Sequence, residues 1–219
     1  MPKVTDEYLA DKRNYILECT GEILKEKPLY LITMRDIIKK AGFSQGVIYR
    51  YYSGLDEIYI DFVNQHTVND ILEQRIDALL DSGQSEKAIL SDCIVTIGEY
   101  MEELLESVGG KTFFELIVYY SYDLEKRALV SPRLKFQQSL EYAQNKIMDY
   151  ALANVDRGVF KPMIPVGSII MFVISFIDGI ALSLATNAAG ETERNFGMAI
   201  HVPELFRTLA AAIIGFLEV

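Results

Sequence analysis

An all-α fold is what the sequence predicts: an N-terminal three-helix helix-turn-helix unit followed by a larger helical body, about nine helices in total. Three observations carry that reading. Apolar residues recur at three- and four-residue spacing along nearly the whole chain, and no run alternates with period two. Only 6 prolines and 14 glycines interrupt the 219 residues. Apolar residues make up 50% and charged residues 24%, enough for a sizeable core and unlike a disordered chain.

The first helix spans about residues 6–25, with Tyr8, Leu9, Ile16, Leu17, Ile23 and Leu24 on its apolar side and Pro28 just beyond its end. Thr33 opens the second helix in a capping-box pattern, with Asp36 at the third helical position. Ile37, Ile38 and Ala41 supply its buried side, and Gly42 stands where a helix commonly stops in a left-handed residue. Phe43 and a potential cap, Ser44, lead into a short third helix over residues 45–51. Helix, glycine turn and short helix together make a helix-turn-helix candidate.

Ser53-Gly54 separates this unit from one long helix over residues 55–80. Further helices are expected over residues 85–107, 111–125, 132–154, 165–188 and 203–217. Domain boundaries follow: 1–54 for the helix-turn-helix domain and 55–219 for the helical body. Between Lys161 and Glu191 lie 29 residues with one charge, Asp178. Roughly 20 apolar residues can span a bilayer. A carboxylate near the middle, dense small and polar residues and the lack of a flanking basic cluster favour a buried or interface helix instead, with no membrane partner.

Charge distribution says more than the net −10. Residues 1–60 balance 9 basic against 9 acidic side chains, and residues 61–219 carry the whole excess. Within the first part, residues 27–52 hold Lys27, Arg35, Lys39, Lys40 and Arg50 against Asp36 alone, net +4. A small basic island on an acidic body implies two parts with different partners. Enzyme classes find no support: there is no nucleophile elbow, phosphate loop or metal-ligand cluster, and His66 and His201 stand apart. No cofactor and no metal are expected. Two cysteines, Cys19 and Cys93, fit a reducing cytosol, and the opening MPKVTDEYLADKR lacks the apolar core of a secretory signal. A cytoplasmic protein is expected.

The segment from Arg13 to Tyr59 resembles the DNA-binding domain of the TetR (tetracycline-repressor-like) family of bacterial regulators. The resemblance rests on Arg13, Ile16, Leu17 and Leu24, on Thr33-Met34-Arg35-Asp36-Ile37, on the run from Ala41 to Tyr52 (AGFSQGVIYRYY), and on Asp56-Glu57-Ile58. Phe176-Ile177-Asp178-Gly179-Ile180 is similar to a short motif of the family's penultimate helix. The resemblance implies a ligand-responsive regulator, by default a repressor, that binds a palindromic operator as a homodimer. It also implies a lysine just before the acid that opens the fourth helix, touching phosphate. Leu55 stands there instead, which should weaken DNA binding and flatten its salt dependence. Cys19 or Thr20 stands where the family's first helix often has alanine.

Residue chemistry supports the same partners. Gln45 can pair with an adenine edge, Val47 can meet a thymine methyl, and Gly46 lets backbone approach closely. Tyr49, Arg50, Tyr51, Arg35, Thr33 and Ser44 carry donors suited to phosphate. Ile48 and Tyr52 read as core, and Tyr51 as either core or contact. Lys39 and Lys40 are a solvated face or part of the DNA-facing rim. For a small, largely apolar or aromatic effector, the expected contacts are Phe113, Phe114, Tyr119, Tyr120 and Tyr122, with Met148, Met171, Phe172, Phe176 and Asp178 on the facing side. The expected dimer face takes Ile169, Val173, Ile177, Ile180 and Leu184, with Leu205, Leu209, Ile213 and Phe216 from the last helix, in a four-helix arrangement. Remaining alternatives are a helical interaction protein without DNA binding and a membrane-associated helical protein.

Overall fold

The computed structural model describes residues 6–67, 71–187 and 201–217. The described residues form eleven α-helices and two short 3-10 turns, with no strand among them. The helices are α1 (Asp6–Glu26), α2 (Met34–Ala41), α3 (Gln45–Tyr51), α4 (Leu55–His66), α5 (Ile71–Leu80), α6 (Glu86–Glu106), α7 (Gly110–Ser121), α8 (Leu124–Val130), α9 (Lys135–Asp156), α10 (Val166–Asn187) and α11 (Val202–Phe216). The count exceeds nine because two expected helices are divided.

The expected helix over residues 55–80 is not continuous. Thr67 is extended (φ −107°, ψ 152°) and closes α4, and α5 begins at Ile71. The α4 terminus has a partner for one orphan carbonyl: Gly109 N–H donates to His66 O at 3.4 Å. A Cβ on Gly109 would come within 3.1–3.3 Å of His66, so the glycine permits that approach. The expected helix over 111–125 likewise ends at Ser121. Asp123 caps a new helix there, its carboxylate accepting from Lys126 N–H at 3.0 Å. The expected break over residues 190–202 falls mainly outside the described residues.

The chain divides into two compact units, one of Met1–Thr67 with Val108–Leu134 and the other of Val68–Ser107 with Lys135–Val219. Compactness therefore groups α4, α7 and α8 with the helix-turn-helix, although the motif itself ends near residue 54. In the first unit, α1 packs on α2 and α4, and α4 on α7. Ile16, Ile37, Ile48, Tyr52, Ile58, Tyr59, Phe62 and Val63 are buried there. Each fully buried side chain of this size contributes roughly 1.5–3 kcal/mol. Tyr59 Oη donates to Leu29 O at 3.1 Å, and Leu29 N–H donates to the Glu115 carboxylate at 3.1 Å. These bonds fasten the 3-10 turn Leu29–Leu31 to α4 and α7.

The second unit is built on α6, which packs along α11 and contacts α5 and α9. Gly98 lets α11 lie close: a Cβ there would stand 2.6 Å from Phe206. Tyr100 and Phe136 stack with centroids 5.2 Å apart. Beyond α9 the chain turns at Gly158 (φ +72°), a left-handed position suited to glycine. Asn154 is fully buried, and its carbonyl takes the N–H groups of Val159 and Phe160. Lys161 and Met163 then donate to Leu217 O and Phe216 O, both at 2.9 Å. Helix α10 follows. It buries Ile169, Ile180, Leu184 and Ala185 but leaves Met171, Phe172, Ile174 and Leu182 exposed.

Candidate nucleic-acid interface

The interface is built by α2, the turn after it, and α3. Thr33 is extended, its Oγ1 accepts from Asp36 N–H at 3.3 Å, and the Asp36 carboxylate accepts from Thr33 N–H at 2.9 Å. The capping box expected from sequence is thus closed on both sides. Lys27 donates to Asp36 at 2.8 Å. That bond first, then the two from Thr33, holds the carboxyl at about 2 against an ordinary 3.8. Gly42 ends α2 in the left-handed conformation, φ +67°. Phe43 then meets α1, 5.5 Å from the Tyr15 ring and 5.1 Å from the Lys12 ammonium.

Ser44 differs from the expectation. Its backbone starts α3, since Ser44 O accepts from Val47 and Ile48 N–H, but its hydroxyl makes no capping bond. On α3 itself, Ile48 is fully buried and Tyr52, just past its end, is 1% exposed. The Arg13 guanidinium lies 4.9 Å from the Tyr52 ring and pairs with Asp61 at 2.8 Å, and Tyr52 Oη donates to Asp61 at 3.2 Å. This arrangement fixes the end of α3 to α1 and α4. Burial pushes the Tyr52 hydroxyl up to about 12.

The other side of α3 faces outward. Gln45, Gly46, Tyr49 and Arg50 are exposed, and Val47 and Tyr51 are half-buried. Gly46 and Arg50, four residues apart, lie on one line opposite Ile48. Thr33, Arg35, Lys39 and Ser44 are exposed beside them. Ion pairing sorts the basic island. Lys27 is taken by Asp36, and Lys40 by Glu22 at 2.8 Å and Glu26 at 4.0 Å. Among the described residues, Arg35, Lys39 and Arg50 have no such partner. Arg35 in the first turn of α2, Lys39 and Arg50 in the last turns of α2 and α3, and an open glycine form a surface suited to phosphate and to base edges.

The residues expected to hold an effector fall in two places. Phe113, Phe114, Tyr119, Tyr120 and Tyr122 belong to the first unit, whereas Met148, Phe172, Phe176 and Asp178 belong to the second. Phe113, Phe114 and Tyr120 are buried, with the Phe113 and Phe114 rings edge to face at 5.2 Å. Tyr122 is 91% exposed, and Asp178 is also exposed, with no buried partner required. Phe172 and Phe176 pack edge to face on Phe216 and Phe206 of α11, at 5.7 and 5.6 Å. Of this set Tyr119 lines a cleft in the first unit. Its polar walls also include Asp56, noted in sequence only as the acid opening the fourth helix, and Lys126, which no sequence spacing singles out.

The expected dimer residues also divide. Ile169, Ile180, Leu184, Leu209 and Ile213 are buried within the chain, and Val173, Ile177, Leu205 and Phe216 are half-buried. The outward face of α10 is instead Met171, Phe172, Ile174 and Leu182.

Comparison with known proteins bears on this surface. Residues 16–61 match the family model described as bacterial regulatory proteins, tetR family. The chain is 25% identical over 179 residues, 82% of each protein, to the uncharacterized HTH-type transcriptional regulator YfiR of Bacillus subtilis strain 168. Its fold is similar to the transcriptional regulator FadR from Bacillus subtilis in complex with stearoyl-CoA (TM-score 0.52, 16% identity, 91% of this chain and 96% of that one). It is also similar to the ketosteroid transcriptional regulator KstR2 of Mycobacterium tuberculosis (TM-score 0.50, 18% identity, 93% of each).

Proposed function

We propose, from the match of residues 16–61 to the model of the tetR family of bacterial regulatory proteins and the 25% identity to an HTH-type transcriptional regulator, that this chain is a dimeric repressor that leaves a palindromic operator when a small molecule binds its helical body. The single observation that carries the reading is the outward face of α2 and α3. Its cations Arg35, Lys39 and Arg50 have no ion-pair partner among the described residues, and Gly46 is open. In this reading Gln45, Gly46 and Val47 meet base edges. Thr33, Arg35, Ser44, Tyr49, Arg50 and Tyr51 hold phosphates, and residues 1–54 act as the reading head of a body formed by residues 55–219.

One such head reads few base pairs, so two must be held at a fixed spacing. The outward face of α10 supports a second copy as its cover. Met171, Phe172 and Ile174 are large apolar side chains facing solvent, and a Cβ on Gly179 would meet nothing within 4 Å. The stretch Val166–Ala185 is long and apolar enough to cross a bilayer. The exposed Asp178 near its middle and its packing on α11 favour a partner helix over lipid.

FadR is named with a fatty acyl thioester and KstR2 with a ketosteroid. Both support a bulky apolar effector for this chain. Within the first unit the aromatic residues of α7 remain its proposed contacts: Tyr119 is accessible, whereas Phe113, Phe114 and Tyr120 are buried. Effector and operator then oppose each other by linkage, each weakening the other by the same factor, roughly 5–150-fold for a coupling of ~1–3 kcal/mol.

The test is fluorescence anisotropy with the DNA upstream of the protein's own gene, at several salt concentrations. Wild type should bind with a steep salt slope, and Arg50→Ala should weaken binding and lower that slope by about one unit, the loss of one phosphate contact. Salt-independent binding, or no binding to that DNA, would overturn the proposal.

A further inference from the structure

A cleft of about 270 Å³ opens in the first unit, lined by Leu29, Tyr30, Ile32, Met34, Leu55, Asp56, Tyr59, Tyr119 and Lys126. One side is apolar, with Leu29, Ile32, Met34 and Leu55. The other is three tyrosines and one ion pair. Leu55, the departure from the family's lysine, is therefore an apolar wall of this cleft.

The ion pair is loose. Lys126 Nζ is 3.6 Å from Asp56 Oδ2, against ~2.7–2.9 Å for a close charge-assisted bond. The same ammonium lies 5.7 Å from the centre of the Tyr120 ring. Tyr120 in turn donates its hydroxyl to Asp56 Oδ1, and its ring sits 5.0 Å from that of Tyr119. A carboxylate backed by tyrosine rings is a receptor for an organic cation. Here a lysine from α8 sits in it. Helix α8 is lightly held: residues 124–129 are all exposed and only Val130 is buried. A segment with so few buried contacts opens at little cost.

We propose that this cleft is a second small-molecule site, one that takes an aromatic ammonium, and that Lys126 is its tethered occupant. The incoming cation displaces the lysine from Asp56, its ring covers Leu55 and Met34, and α8 is released. Occupancy bears directly on the first residues of α2 and α4, Met34 and Leu55, within the first unit. The site shares Tyr119 with the proposed effector contacts, but it rests on the Asp56–Lys126 pair, and its test needs neither operator nor an apolar effector.

Isothermal titration of the full-length protein with benzyltrimethylammonium tests the assignment, with no DNA present. The expected result is saturable one-site binding that benzyl alcohol, a neutral aromatic, does not reproduce. Asp56→Asn keeps the oxygen that accepts from Tyr120 and should weaken binding about fivefold or more, the scale of ~1 kcal/mol. Lys126→Ala should tighten it by several-fold, because the internal competitor is gone. A merely structural Lys126 gives unchanged or weaker binding in Lys126→Ala, and that outcome overturns the proposal. So does equal binding of benzyl alcohol, or no saturable heat with either wild type or Lys126→Ala. Should Asp56→Asn fail to fold, the lysine variant and the neutral probe decide alone.

Discussion

Gly46 shows how a single position separates stability from function. A glycine inside a helix costs up to ~1 kcal/mol relative to alanine, and a Cβ at Gly46 would meet nothing within 4 Å of the chain. No neighbour in the first unit demands it. Gly46→Ala should therefore raise the melting temperature by about 2–4 °C while weakening operator binding, checked by thermal melting alongside fluorescence anisotropy. Asp36 gives a pH signature. Its folded carboxyl titrates at about 2 against an ordinary 3.8, so its stabilisation is complete above 3.8 and is lost as pH falls through about 2. Urea midpoints followed from pH 5 to 2 should fall more steeply for wild type than for Asp36→Asn. The Thr33–Asp36 cap and the Gly42 turn were readable from sequence because their partners lie within three or four residues. The Asp56–Lys126 pair was not, since 70 residues separate its members and the packing of α4 against α7, and of α7 against α8, brings them together.

At the scale of elements, the close approach of α6 and α11 is the sharpest constraint. Gly98→Ala places a methyl 2.6 Å from Phe206, and overpacking of this kind costs ~1–3 kcal/mol. Equilibrium urea unfolding should show a lower midpoint with an unchanged slope. Most helix limits were legible from their apolar spacing and from Ser85, Gly42 and the prolines. Two breaks were hidden. Apolar residues continue past Thr67 and past Tyr122 at helical spacing, so periodicity alone reads through both. The first is decided by a tertiary contact, Gly109 taking the last turn of α4, and the second by a local cap, Asp123 accepting from Lys126 N–H, whose signal the apolar spacing overrode. The interruption after α4 also changes any account of coupling. A continuous rod from the DNA-binding motif is absent, and within the first unit the contacts of α4 with α7, through Tyr59, Leu29 and Glu115, are the route that remains.

For the whole molecule, the apolar character of α10 was evident in its residues, but which side faced outward was not. Ile169, Ile180 and Leu184 turn toward their own chain, Met171 and Ile174 turn away, and Phe172 is shared between Phe216 and the outside. Ile174→Glu should give a monomer by sedimentation velocity at micromolar concentration, with unchanged helical content. Its DNA affinity should fall because two heads are no longer held together. A persistent dimer would move the interface elsewhere. The first unit has a last consequence, for biosynthesis. Its two stretches, Met1–Thr67 and Val108–Leu134, are parted by forty residues that belong to the other unit. On the ribosome the first unit therefore cannot be complete when its N-terminal stretch emerges. At ~5–20 residues per second, the contacts that α7 makes with α4 and the Leu29 turn, Leu29 N–H to Glu115 among them, form several seconds after α4 itself has been made.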